Sequence, residues 1–324
     1  MRPGRTMTRG GYRGFERDRS DSDRLAALSE QGRDAMLQAK QQGRCGTATR
    51  GPRCGARLVR NDRCSVRPTA TRAVLMSLIL AAWIGGRPVL ASPPPDARQE
   101  LSAAITEFQT LAERTLEAGD LPRWADPEGA RVLARVWDRQ RILGTSPYVA
   151  ADVPVLLGIV DQWNKISKTY LLFTAKPGTV PNTAVTTIRY QNELARGVDA
   201  LMHAMAAVAE AIVPFWESLP DKDHTTVRRA GIQNIRVGLV QTLQEVLTTM
   251  RLQNFHADNR RILALAIVET AGIISRSLSE ADRTAMAAQV TATIQALPEE
   301  EGDWLIPALA PFSQPGCTGL CAIN

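Results

Sequence analysis

From residue 96 to residue 297 the large apolar residues recur at three- and four-residue steps, and nowhere do they alternate at the two-residue period of a half-buried strand. A chain with that pattern buries stripes, not alternate faces, so it is predicted to be all-α. Leu101, Ile105, Phe108 and Leu111–Ala112 share one face of a first helix over Asp96–Ala118, and Gly119 ends it. Asp126-Pro127-Glu128 opens a second: an acid to cap, proline at the first position, and an acid in the first turn. Its apolar positions run through Val132 and Val136 toward Gly144. Asp152 caps a third helix, striped by Val155, Ile159, Trp163, Ile166 and Tyr170.

The stretch Ala175-Lys-Pro-Gly-Thr-Val-Pro-Asn182 is a loop. Asn182 then caps a fourth helix carrying Val185, Ile188, Leu194, Val198, Leu201, Met205, Val208 and Ile212, which Pro214 is expected to kink or end. Leu219-Pro220-Asp221 starts a fifth, with Ile232, Ile235, Leu239, Leu243, Val246 and Met250 on its stripe. A sixth over 258–276 aligns Ile262, Leu265, Glu269 and Ile273, and the capping box Ser279-Glu-Ala-Asp282 opens a seventh that stops before Pro298. The expected architecture is a helical bundle of about seven helices. A long antiparallel pair at 183–255 is followed by two shorter helices, and the first three pack against them. Residues 298–324 hold Pro307, Pro311, Pro315, Gly316 and Gly319 and read as an irregular tail after the helical domain at 92–297.

A second feature divides the chain. Arg67 to Arg72 is basic, Ala73–Gly86 is apolar and uncharged, and Arg87-Pro-Val-Leu-Ala91 places Val89 and Ala91 at the −3 and −1 positions of a cleavage site. Residues 67–91 therefore read as a signal peptide, with Ser92-Pro-Pro-Pro-Asp96 opening the mature chain. The alternative is an uncleaved N-terminal anchor, although the 14 residues of Ala73–Gly86 fall short of the roughly 20 a spanning helix needs. Residues 1–66 are Arg-rich and poor in large apolar side chains, as in a disordered extension or an over-extended start.

The net charge of +6 hides this division. Residues 1–66 carry 15 Lys+Arg against 7 Asp+Glu, and residues 67–91 add three Arg. That leaves 21 basic and 26 acidic residues after position 91, a net of −5. The helical part thus shows no basic excess for phosphate neutralisation, and a nucleic-acid partner is not expected.

Candidate sites are few. His203, His224 and His256 occur without a Glu-x-x-His or His-Glu-x-x-His motif, so neither a metal nor another cofactor is expected. Asp199 and His203 are four apart and form a local helical pair. Glu269, falling on an apolar stripe, calls for a partner such as Arg229 or Arg236, because unpaired buried charge is costly; these three are the candidate polar ligand contacts. Trp124, Trp137, Trp163, Trp216 and Trp304 supply aromatic area for packing between helices. Cys317 and Cys321 fit a local disulfide after export; a redox or metal pair and two free thiols remain as alternatives. No nucleophile elbow, phosphate loop or dinucleotide fingerprint is present. The expectation is an exported, periplasmic, all-helical binding or scaffolding module of a bacterial-type envelope, with an envelope protein or a small ligand as partner. The alternatives are a module tethered to the membrane through residues 73–86 and an enzyme whose site spacing does not reveal.

Overall fold

The computed structural model of the chain describes residues 93–174 and 178–323, all within one unit. The extension at 1–66, the signal-like segment at 67–91 and residues 175–177 lie outside the described residues. The described residues contain α-helices, short 3-10 turns and loops, and no strand.

Each early helix follows its sequence signals. α1 (Ala97–Glu117) buries Leu101, Ala104, Phe108, Leu111 and Ala112 and ends before Gly119, whose φ of 73° suits only glycine. α2 (Pro127–Val136) begins with proline at its first position. The chain then breaks at Trp137–Asp138 instead of continuing to Gly144. The Asp138 carboxylate accepts the Arg141 amide at 3.1 Å and so starts a separate short helix, α3 (Arg139–Leu143). α4 (Val153–Leu171) buries Ile159, Trp163, Ile166 and Tyr170.

The expected fourth helix is two. The Asn182 side-chain amide oxygen accepts the Val185 N–H and caps α5 (Thr183–Arg189), and after Tyr190 the chain restarts as α6 (Gln191–Ser218), running through Pro214 without stopping. α6 is the axis of the fold. It is buried on nearly every side, and alanines at 195, 200, 204, 206, 207, 209 and 211 let its neighbours approach closely. It is also long and apolar enough to cross a membrane, as the core helix of a globular domain can be.

α7 (Thr226–Met250) is capped by Thr225 and buries all six residues of its expected stripe. α8 (Ala257–Ser277) and α9 (Glu280–Ala296) follow, the latter capped by Ser279. Two corrections to the expected arrangement stand out. First, α6 does not pair chiefly with the next helix, α7. It lies between α4 and α8, while α7 packs mainly on α9. Second, the tail is not irregular. α10 (Glu299–Asp303) and α11 (Ile306–Ser313) form there, and α11 seats Ala308 and Phe312 against α8 and α9. Prolines at 307 and 311 are tolerated because an eight-residue helix has few internal N–H groups to lose. The 3-10 turn Leu320–Ala322 closes the chain against α8, with Leu320 and Ile323 buried.

Candidate functional site

The segment between α1 and α2 runs across the surface and is pinned at almost every residue. Asp120 accepts hydrogen bonds from the Tyr190 hydroxyl (2.7 Å) and the Leu121 amide (2.8 Å), and Arg189 approaches it at 3.2 Å. Burial pushes the Asp120 carboxyl up, but these donors outweigh it and hold the group below its ordinary value. The Tyr170 hydroxyl donates to the Pro122 carbonyl at 2.8 Å, and Arg123 donates to the Arg189 carbonyl at 2.7 Å. The Trp124 amide donates to the buried Glu193 carboxylate at 2.6 Å. At Gly129 the first turn of α2 touches the backbone of Arg123, where no Cβ would fit. These contacts fix Trp124 beside α6.

On the opposite side stands the junction of α2 and α3. The Trp163 indole donates to the Val136 carbonyl at 2.8 Å and holds the end of α2, with Trp137 tilted against it at 6.2 Å between ring centroids. Between this junction, Trp124 and one face of α6 lies an open cleft of about 300 Å³, lined by Trp124, Trp137, Asp138, Arg139, Arg196 and Asp199.

Arg139 and Asp199 of this lining belong to a cluster of charges drawn from three helices. Arg139 of α3 donates to Glu269 of α8 at 3.0 Å, lies 3.5 Å from the Asp199 carboxylate of α6, and hydrogen-bonds His203 Nε2. His203 Nε2 is also 2.9 Å from the Glu269 carboxylate, and its Nδ1 is 2.9 Å from the Asp199 carbonyl oxygen. Both ring nitrogens are therefore occupied. Burial pushes the Asp199 carboxyl above its ordinary value against the pull of Arg139 and His203. At Glu269 burial acts in the same direction, but hydrogen bonds and charge from Arg139 and His203 prevail and lower it.

The structure distributes the sequence candidates unevenly. The local Asp199–His203 pair is present. Glu269 does have a cationic partner, but it is Arg139, not Arg229 or Arg236. Glu269 is also 46% exposed: the stripe Ile262, Leu265, Glu269, Ile273 is the outer side of α8, whose core side is Leu263, Ala266, Ile267, Thr270 and Ile274. Arg229 lies over the Trp216 ring at 5.6 Å, where Trp216 also stacks on His224. Arg236 reaches Asp282 at 3.9 Å. The three candidate polar contacts thus do not converge. Cys317 and Cys321 are joined as a disulfide with Cα atoms 5.9 Å apart. Among the described residues, no group of three or more His, Cys, Asp and Glu side chains is placed to hold a metal ion.

Trp124, Arg139 and Arg196, which build the cleft, were not distinguishable as site residues by spacing. They lie in different segments and follow no motif. The only available signals were the Asp199–His203 step and the Arg196–Asp199 step on one helix. Compared with protein-family models, curated proteins and solved structures, the chain matches none of them.

Proposed function

We propose that this protein is an exported helical module of a bacterial-type cell envelope that binds a small ligand in the cleft beside Trp124. The reading of export rests on the signal-like segment at residues 67–91. The binding role is carried by one observation: Arg139 and Asp199 of the lining are spent on one another and on Glu269 and His203, while Arg196 lines the cleft with no carboxylate at ion-pair distance among the described residues. A general base needs a nitrogen or oxygen within reach of a substrate proton. His203 Nδ1 donates to the Asp199 carbonyl, and the single site at Nε2 faces both Arg139 and Glu269, so neither nitrogen is turned to the cleft, which favours a clamp between helices over a proton shuttle.

The test has two readouts on protein from the periplasmic fraction of its host. N-terminal sequencing should find a soluble chain beginning at Ser92. A membrane-bound chain retaining residues 73–86 would replace the soluble module with a tethered one. Amide exchange at residues 123–140 and 191–199 should be slower in the periplasmic extract than in the purified chain. Equal exchange in the two would overturn the binding role.

A further inference from the structure

We propose that the cleft beside Trp124 is a site for a small monocarboxylate with a flat apolar body, anchored by Arg196. The proposal rests on the binding role given above and assigns the class of ligand. Arg196 sits on the second turn of α6, with its guanidinium 4.2 Å from the centroid of the Trp124 ring. Its Nη1 donates to the Asn192 carbonyl at 3.0 Å, one turn back on the same helix. A guanidinium carries five N–H donors in a fixed fork, and here most of them meet no acceptor among the described residues. Glu193 and Asp258 act on this cation only through space, and burial pushes its pKa down. The Trp124 ring face offsets part of the burial of this cation, and its remaining fork of donors is left for an anion.

Trp137 stands on the same wall. The indole N–H of Trp137 is enclosed and has no acceptor among the described residues, so it adds no carboxylate or other acceptor to this wall. The unspent donors of the lining are those of Arg196, so the complement is an acceptor. The charge is set by the neighbours. Arg139 is already engaged by Asp199 and Glu269, leaving Arg196, among the described residues, as the lining cation open to a ligand, and Asp138 and Asp199 lie in the same lining. One negative charge completes Arg196. A phosphate dianion would set its second charge against those carboxylates. The planar fork of arginine matches the planar carboxylate, and the Trp124 and Trp137 indoles offer apolar walls to a flat body. A volume of about 300 Å³ is at the small end for ligand sites and suits a single-ring acid.

The experiment titrates the full chain with benzoate, benzamide and inorganic phosphate, following tryptophan fluorescence and, in parallel, calorimetry. Benzoate should bind saturably and at least about tenfold more tightly than either other probe. Arg196→Gln should weaken benzoate by about 10- to 100-fold, the usual worth of a charge-assisted hydrogen bond. Arg196→Lys, which keeps the charge and loses the fork, should weaken it by about tenfold and guards against a folding defect in the first variant. Benzoate binding that survives both substitutions, or benzamide binding equal to benzoate, overturns the assignment. If phosphate or benzamide saturates and Arg196→Gln abolishes it, the carboxylate class is wrong and the binding role stands. If none of the three saturates, the carboxylate class is again wrong, and amide exchange in the periplasmic extract decides the binding role separately.

Discussion

Gly129→Ala should destabilise this protein, although helix propensity alone argues the reverse. Gly129 is buried in the first turn of α2, and a Cβ added there would lie 2.1 Å from the Arg123 carbonyl oxygen and 2.9 Å from its nitrogen. Even a close carbon–oxygen contact lies at about 3.3 Å, so helix and loop would have to separate by roughly 1 Å. Both obstructing atoms are backbone, and no rotamer change relieves them. Overpacking of this kind costs about 1–3 kcal/mol, against a gain of up to about 1 kcal/mol for alanine over glycine in a helix. With both obstructing atoms in the backbone the upper part of that range applies, and the clash wins by up to about 2 kcal/mol, a fall in Tm of up to about 8 °C for a domain of this size. Gly272→Ala is the matched control. It is exposed in α8 with nothing within 4 Å of the added Cβ, and it should raise Tm by about 1–4 °C. Thermal unfolding followed by circular dichroism at 222 nm reads both. If Gly129→Ala melts at or above the parent while Gly272→Ala rises, the close approach does not hold the loop, and the reasoning that fixes Trp124 through Arg123 fails with it.

Tyr170→Phe removes a buried hydroxyl donor and strands the Pro122 carbonyl. It should lower the urea midpoint by the equivalent of about 1–2 kcal/mol without changing the m-value. The two carboxylates of the charge cluster should show opposite pH signatures. Glu269 has a lowered folded pKa, so its contribution is complete above the free value of about 4.3 and is lost as pH falls through the lower folded value. Glu269→Gln should therefore flatten the acid limb of a Tm-against-pH curve. Asp199 has a raised folded pKa, so its ionised form opposes folding as pH rises above the free value of about 3.9. Asp199→Asn should then compare better with the parent at pH 7 than at pH 3, and an inverted order would show that pairing with Arg139 outweighs burial. Replacing Cys317 and Cys321 together by Ser opens a five-residue loop, and the chain-entropy relation gives a loss of about 2 kcal/mol. Amide exchange should accelerate at residues 320–323 before it does so in α8.

Parts of this architecture were legible residue by residue, and parts were not. The cap at Asn182, the proline start at Pro127, the stop at Gly119 and the stripe of α7 are local events, set by dihedral limits and nearby hydrogen bonds. The phase of α8 was misread because Ile262, Leu265 and Ile273 form a stripe as regular as the buried one at Leu263, Ile267 and Ile274. Periodicity reports that a helix has an apolar side, not which of two sides meets a neighbour. The same ambiguity misplaced Glu269, whose exposure and pairing with Arg139 follow from that phase. α10 and α11 were missed because their prolines and glycines signal a break, and packing of Phe312 and Ala308 against α8 and α9 overrides that signal. The cleft carried no sequence signature, since Trp124, Arg139 and Arg196 come from segments tens of residues apart.

By itself, then, the sequence determined that this chain makes helices, where most of them begin, and that an Arg-rich first part precedes an acidic helical one. Helix period, caps and composition are properties of a few adjacent residues, and they need no knowledge of the rest of the chain. Only the tertiary structure decided that α6 is the buried axis between α4 and α8, that Arg139 and not Arg229 or Arg236 meets Glu269, and that Arg196 lines a cleft without a carboxylate partner among the described residues. Those outcomes depend on which of several nearly equivalent apolar faces are buried against one another. That choice is made by packing the whole domain at once, and side chains from distant segments acquire neighbours only after it is made.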